Sequence, residues 1–300
     1  MSREKIVVVM LIGAAVALAT GCTSTGGASA AGAPTAGAST GSASTAGASP
    51  ASKAVFKDKA GWISLFDGKT LNGWTTKIVG YPAGQDPLET FRVKDGAIVI
   101  SYDKYGGDMK MRWAHLFYNK SFKAYRLSLE YKFEGEEMQP LRRTQWNSGV
   151  LHHSQSPESM TVDQPYPISA EAQILGYFPV PYRTGKARMT SSACGLGTAL
   201  SWGGVETQDC FTSRVPTKPN DQWVLFELEV RPDGVINNYI DGELATTFDH
   251  LLLDTSDARF PSQKFIDAQG GKREITSGYI CFQSEGHPVE FRNIKILPLN

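Results

Sequence analysis

YRLSLEYKF, residues 125–133, alternates without a break: Tyr125, Leu127, Leu129, Tyr131 and Phe133 share one side, Arg126, Ser128, Glu130 and Lys132 the other. Successive side chains of a strand point to opposite faces, so this period of two reads as a strand with one face in a core. WVLFELEV, residues 223–230, repeats the pattern with Val224, Phe226, Leu228 and Val230 on one side. Asp95-Gly96, Asp233-Gly234 and Asp241-Gly242 supply the positive φ angles of tight turns, so RVKDGAIVI (92–100) and NNYIDGELATTF (237–248) are expected hairpins. The only helical signal is a turn near FDHLLLD, residues 248–254. Many short alternating strands punctuated by turns predict an all-β sandwich or jelly roll.

The 300 residues carry 30 basic and 30 acidic side chains, so the chain lacks the one-signed field that attracts nucleic acid or an anionic membrane surface. Arg3 and Lys5 precede the apolar run IVVVMLIGAAVALA, and small residues lead to Cys22: an export signal over residues 1–22. LATGC resembles the bacterial lipoprotein cleavage box, which makes Cys22 the expected lipidation site and places the protein in the cell envelope, held to the membrane by lipid alone. Residues 23–54 are a Gly/Ala/Ser/Thr tether unable to bury a core, and residues 55–300 read as one domain. Export permits a disulfide. Cys194 and Cys210 flank a Gly-rich stretch that a bond between them would staple, whereas Cys281 in GYICFQ reads as a buried thiol, and no spacing suggests structural zinc.

Four segments, in order, carry a family resemblance: GWISLFDGKTLNGW from Gly61, NSGVL from Asn147, AEAQILG from Ala170 and GYICFQSEGHPVEFRNIKILPL from Gly278. Together they resemble the 3-keto-disaccharide hydrolase family across nearly all of the chain after the tether. The resemblance implies a concanavalin A-like jelly roll of two antiparallel sheets, one of which takes sugar, and cleavage of glycosides whose sugar carries a ketone at carbon 3.

Within AEAQIL, Ala170, Ala172 and Ile174 alternate with Glu171 and Gln173, so an inward apolar set turns both polar side chains toward a ligand. Two carboxylates on such a strand would suit a retaining glycosidase; Gln173 cannot be the second, which leaves Glu285 or Asp163 to supply it. A 3-keto sugar asks for less, because the ketone acidifies the hydrogen on carbon 2. One base removes it, a cationic, hydrogen-bonding or metal group holds the enolate oxygen, and the carbon-1 substituent leaves before water adds. In a regular strand His153 shares parity with Asn147 and Gly149, whereas His152 shares it with Val150. His153 is therefore expected beside Glu171, where relatives often carry arginine. Glu171 and His153 are the expected catalytic pair. A second reading makes them, with Glu285, ligands of a divalent metal; nothing in the sequence demands a cofactor.

Asn147, Gln173, Trp146, Arg183, Gln283 and Glu285 are the expected substrate contacts. Trp113, Trp146, Tyr182 and Trp202 border irregular segments and suit the apolar face of a pyranose, whereas Trp62, Trp74 and Trp223 read as core. The long loop after Gly176 offers Arg183, Lys186 and Arg188 to a ligand oxygen, and Arg292 is expected to brace a turn. The same face and aromatics would also serve a carbohydrate-binding protein without catalysis.

Overall fold

Residues 125–133 form the strand that their alternation predicts, and its five aromatic and leucine side chains are at most 2 % exposed. The computed structural model describes residues 54–56, 61–135, 146–178 and 187–299. All belong to the second of the chain's two compact units, Ala48–Asn300. The strands are β1 (Ile63–Ser64), β2 (Trp74–Ile78), β3 (Phe91–Lys94), β4 (Ala97–Ile100), β5 (Ala114–Tyr118), β6 (Tyr125–Phe133), β7 (Asn147–Ser154), β8 (Ser169–Leu175), β9 (Ser192–Leu196), β10 (Thr198–Trp202), β11 (Val205–Thr207), β12 (Val224–Val230), β13 (Ile236–Ile240), β14 (Glu243–Phe248), β15 (His250–Leu253), β16 (Tyr279–Ser284) and β17 (Val289–Pro298), with one helix, α1 (Ser262–Ala268), before β16.

An eight-stranded sheet runs β14-β13-β12-β6-β17-β4-β3 with β1 beside β17, a six-stranded sheet runs β2-β5-β16-β7-β8-β9, and β11-β10-β15 form a small third sheet. Every one of these pairings is antiparallel. The fold is the all-β, concanavalin A-like jelly-roll sandwich. β6 and β12 match their apolar sets residue for residue, Tyr131 opposite Val224, Leu129 opposite Phe226 and Leu127 opposite Leu228. These side chains meet Phe282, Val150, Ala172 and Ile174 of the six-stranded sheet in one core cluster. Each large side chain so buried contributes about 1.5–3 kcal/mol, which fixes the pairing of faces and thereby which residues of the six-stranded sheet point away from the core. No helix among the described residues is long and apolar enough to cross a membrane.

Asp95-Gly96 and Asp241-Gly242 turn both expected hairpins with positive φ at each residue, 52° and 79° in the first, 49° and 84° in the second. FDHLLLD is strand and not helix, because Leu251 and Leu253 bury their side chains while β15 pairs with β10. Trp74 is core, its Nε1 donating to Leu65 O at 2.9 Å. Trp62 and Trp223 are not: Trp223 precedes the inward-facing Val224, so parity turns it outward. It lies half-buried under the Arg292 guanidinium, 3.9 Å from ring centre to Cζ, and Trp62 lies 5.1 Å from Lys295 Nζ. Arg292 also donates to buried Glu130 at 2.6 Å, just before a register shift in β17 where Asn293 has a φ of 53°.

Cys194 in β9 is bonded to Cys210, 16 residues on. Closing a loop of that length restricts the unfolded chain, so Cys210→Ser is expected to lower unfolding free energy by about 3 kcal/mol. A denaturant midpoint unchanged by the substitution would show that the bond constrains nothing.

Candidate active site

In the six-stranded sheet, the residues that alternate with the core set form two rows on the outer face. In one row Lys77 pairs with His115 and His115 with Gln283, while Gly149 pairs with Gln173. In the other, Phe117, Cys281, Leu151, Glu171 and Cys194 are successive cross-strand partners. Glu171 therefore sits beside a cluster made by Phe117, Leu151, Cys281 and Met160, and it is 4 % exposed. A carboxylate in such surroundings loses its hydration. Burial raises the Glu171 carboxyl well above the usual range, and the charge of Glu285 raises it further.

Glu285 follows β16 in a turn through Gly286, whose φ of 87° suits glycine. Tyr102 holds that turn: its hydroxyl bonds Ser284 Oγ at 2.8 Å and accepts from Gly286 N at 2.8 Å. The Glu285 carboxylate accepts from Tyr166 Oη at 2.9 Å and, at short range, from Asn147 Nδ2. Burial nevertheless raises it to about 7, against the pull of those two bonds. Gln283 joins the acids. With the amide oriented to satisfy its surroundings, its nitrogen donates to Glu171 Oε1 at 3.2 Å and Glu285 Oε2 at 3.1 Å. Ser148 Oγ fixes the Gln283 backbone at 2.7 Å. Two carboxyls thus meet on one amide nitrogen, and both have a raised affinity for protons.

Glycine at position 149 makes room for this. A Cβ there would overlap Oε1 and lie 2.9 Å from Cγ of Glu171, and equally close to Leu151 Cδ1. Gly149→Ala is therefore expected to displace the Glu171 carboxyl, with a cost of about 1–3 kcal/mol in stability and a larger relative loss of activity. Thermal melting and turnover measured together check this, and wild-type turnover in a folded variant would show that the carboxyl's position is unimportant.

Asn147, Gln173, Gln283 and Glu285 thus share the face or the immediate surroundings of Glu171. His153 does not. β7 bulges opposite Tyr279 and Cys281, and His153 takes a φ of 53°. The bulge breaks the parity that would have placed its imidazole beside Glu171. Instead His153 Nδ1 meets His152 Nδ1 at 2.7 Å, and His153 lines a recess with Lys123, Arg231, Asp249, His250 and Glu274. Burial lowers His153 to about 4. The metal set of His153, Glu171 and Glu285 is accordingly not assembled, and no group of three His, Cys, Asp or Glu side chains among the described residues is arranged to hold a metal.

Trp146 packs on Phe133 with ring centres 6.0 Å apart, against the core cluster and away from the outer face. Trp202, 48 % exposed, stands at the β10–β11 hairpin. Trp113 reaches the site through Tyr166, 5.4 Å between ring centres. Asp163 is exposed, and Arg188 donates to Gly176 O at 3.1 Å. Cys22, Tyr182, Arg183 and Lys186 lie outside the described residues.

Residues 61–297 match the family model of the 3-keto-alpha-glucoside-1,2-lyase-like domain. The chain belongs to this family. Another protein like it, the 3-keto-disaccharide hydrolase of Bacteroides thetaiotaomicron, is 27 % identical over 263 residues, covering 81 % of this chain and 80 % of the relative. Among solved structures, a Parabacteroides distasonis protein described as a glycosyl hydrolase aligns with a TM-score of 0.47 at 22 % identity, covering 80 % of this chain and 94 % of its own. A Bacillus subtilis protein with a galectin-like fold aligns with a TM-score of 0.42 at 12 % identity, over 76 % and 90 %. In this member of the 3-keto-alpha-glucoside-1,2-lyase-like family, sequence reading overlooked Tyr166, His115 and Lys77. AHLFY, residues 114–118, does carry a signal, since Ala114 and Leu116 face the core and put His115 outward. Tyr166 lies in a loop between two prolines, with no periodicity to aim it.

Proposed function

We propose that the protein cleaves 3-keto-glycosides by elimination and hydration, with Glu285 as the base and Glu171 as the acid. The observation that carries this reading is the pair of buried carboxyls bridged by Gln283. An anionic nucleophile for direct displacement is best served by a low proton affinity, whereas raised affinities near the working pH suit proton transfer. Glu285 takes the proton from carbon 2. The C2–H pair becomes the C2=C3 bond, and the carbonyl pair moves to the carbon-3 oxygen. As the ketone re-forms, the electrons shift to C1=C2, the bond from carbon 1 to the glycosidic oxygen breaks, and Glu171 protonates the departing oxygen. Water then adds at carbon 1, returning a proton to Glu171, while Glu285, its first proton exchanged with water, delivers a new one to carbon 2. Both carboxyls end as they began. The net reaction is hydrolysis, and the released enone is what a lyase would give up if it left before water added.

Asn147 and Tyr166 orient the base, and Gln173, half-buried on the same face two residues beyond Glu171, is placed to orient sugar. The export signal and tether read from the sequence support a location in the bacterial envelope, with Cys22 as the lipid anchor. Incubation with a 3-keto-disaccharide and with its unoxidised parent tests the activity. Cleavage of the keto sugar alone is expected; binding of either sugar without turnover would replace the enzyme with a carbohydrate-binding protein.

A further inference from the structure

We infer that His115 is a further catalytic residue, its imidazole donating a hydrogen bond to the carbon-3 oxygen of the substrate as that oxygen gains charge. The inference rests on the elimination reading above. β5 pairs His115 directly with Gln283, the residue that bridges the two acids, and with Lys77 on the other side. Its ring centre lies 6.0 Å from that of Tyr166, whose hydroxyl reaches Glu285, and 6.2 Å from that of Phe117. The ring is 1 % exposed, and its Nε2 is buried with no hydrogen-bond partner among the described residues.

Leaving a buried ring nitrogen unpaired costs about 1–3 kcal/mol, and phenylalanine would fill the same aromatic surroundings without that cost. A substrate oxygen supplies the partner that the protein withholds. Burial, and secondarily the charge of Lys77, lowers His115 to about 3, so the ring is neutral where Glu285 works. A neutral imidazole still carries one N–H and can donate it. Lys77 keeps its place beside the ring by donating to Ile78 O and Val162 O, each at 3.0 Å. During enolisation the carbon-2 proton goes to Glu285 and the carbonyl pair to the carbon-3 oxygen; His115 keeps its proton and lowers the energy of that oxygen through the hydrogen bond. Loss of one such donor typically costs about 100- to 1000-fold in rate.

Two readouts test this on the full chain. Ring nitrogens of 15N-histidine-labelled protein are followed by NMR while 3-ketoglucose, which has no glycosidic bond to cleave, is added, with glucose as control. His115 signals are assigned by their loss in His115→Phe. A shift of the His115 Nε2 resonance with the keto sugar and none with glucose is expected; an unmoved resonance overturns the inference, whether or not other signals report binding. In the second readout, His115→Phe is expected to melt no lower than wild type while kcat falls about a hundredfold, with His115→Gln, which keeps a donor, recovering part of the loss. Near-normal kcat in His115→Phe overturns the inference. A wild-type protein inert toward 3-keto-glycosides refutes the elimination reading instead, and the NMR titration still decides the role of His115.

Discussion

Glu171→Gln is expected to lower kcat on a 3-keto-glycoside by about a thousandfold, the share commonly contributed by a positioned acid or base, without unfolding the protein. Glutamine has nearly the volume of glutamate and keeps a carbonyl oxygen to accept from Gln283. It cannot deliver a proton to the departing oxygen. The stability effect has a definite sign. The folded state raises the proton affinity of Glu171, by burial first and by Glu285 second, so folded protein holds this proton at pH values where unfolded chain has released it. Wild type therefore loses stability as pH rises above about 4.5, the unperturbed value for glutamate. Glutamine has no such dependence, so the variant's melting temperature should gain on wild type between pH 5 and pH 8, about half a unit above and well above that value. Turnover near the wild-type rate would remove Glu171 from the mechanism.

Glu285→Gln should be equally damaging, about a thousandfold, and should also change the shape of the pH profile. With Glu285 raised to about 7, wild-type kcat/KM should climb as pH passes through 7 and the base ionises. It should fall again at higher pH, where Glu171 gives up the proton it must donate. The glutamine variant has no base to ionise, so whatever activity remains should lack the acidic limb. A limb that survives in Glu285→Gln would belong to a different group.

The fold was legible because a period of two is hard to disguise. Residues 125–133 and 224–230 alternate, the Asp-Gly pairs turn them, and the core set of AEAQIL could be read directly. That same logic aimed Glu171 correctly outward and failed at His153, since one left-handed residue in a bulge reverses a strand's parity and nothing in LHHS announces it. FDHLLLD failed differently: Leu251 and Leu253 are buried by a strand far away in sequence, and pairing with β10 overrides any local helical tendency. Glu285 was legible only as a residue in a Gly-flanked turn. Its approach to Glu171 depends on Gln283, Asn147 and Tyr166, which three separate segments bring together. His115 was hidden in an ordinary-looking AHLFY because its meaning comes from its neighbours across the sheet, Lys77 and Gln283.

The central claim is that a proton leaves carbon 2 and a new one arrives there. Cleavage of a 3-keto-disaccharide in deuterated water, stopped early and compared with an enzyme-free control that measures spontaneous exchange, tests it most directly. Elimination and hydration predict one deuterium at carbon 2 of each released 3-keto sugar. Release of that sugar with carbon 2 no more deuterated than in the control would show direct hydrolysis and contradict the account.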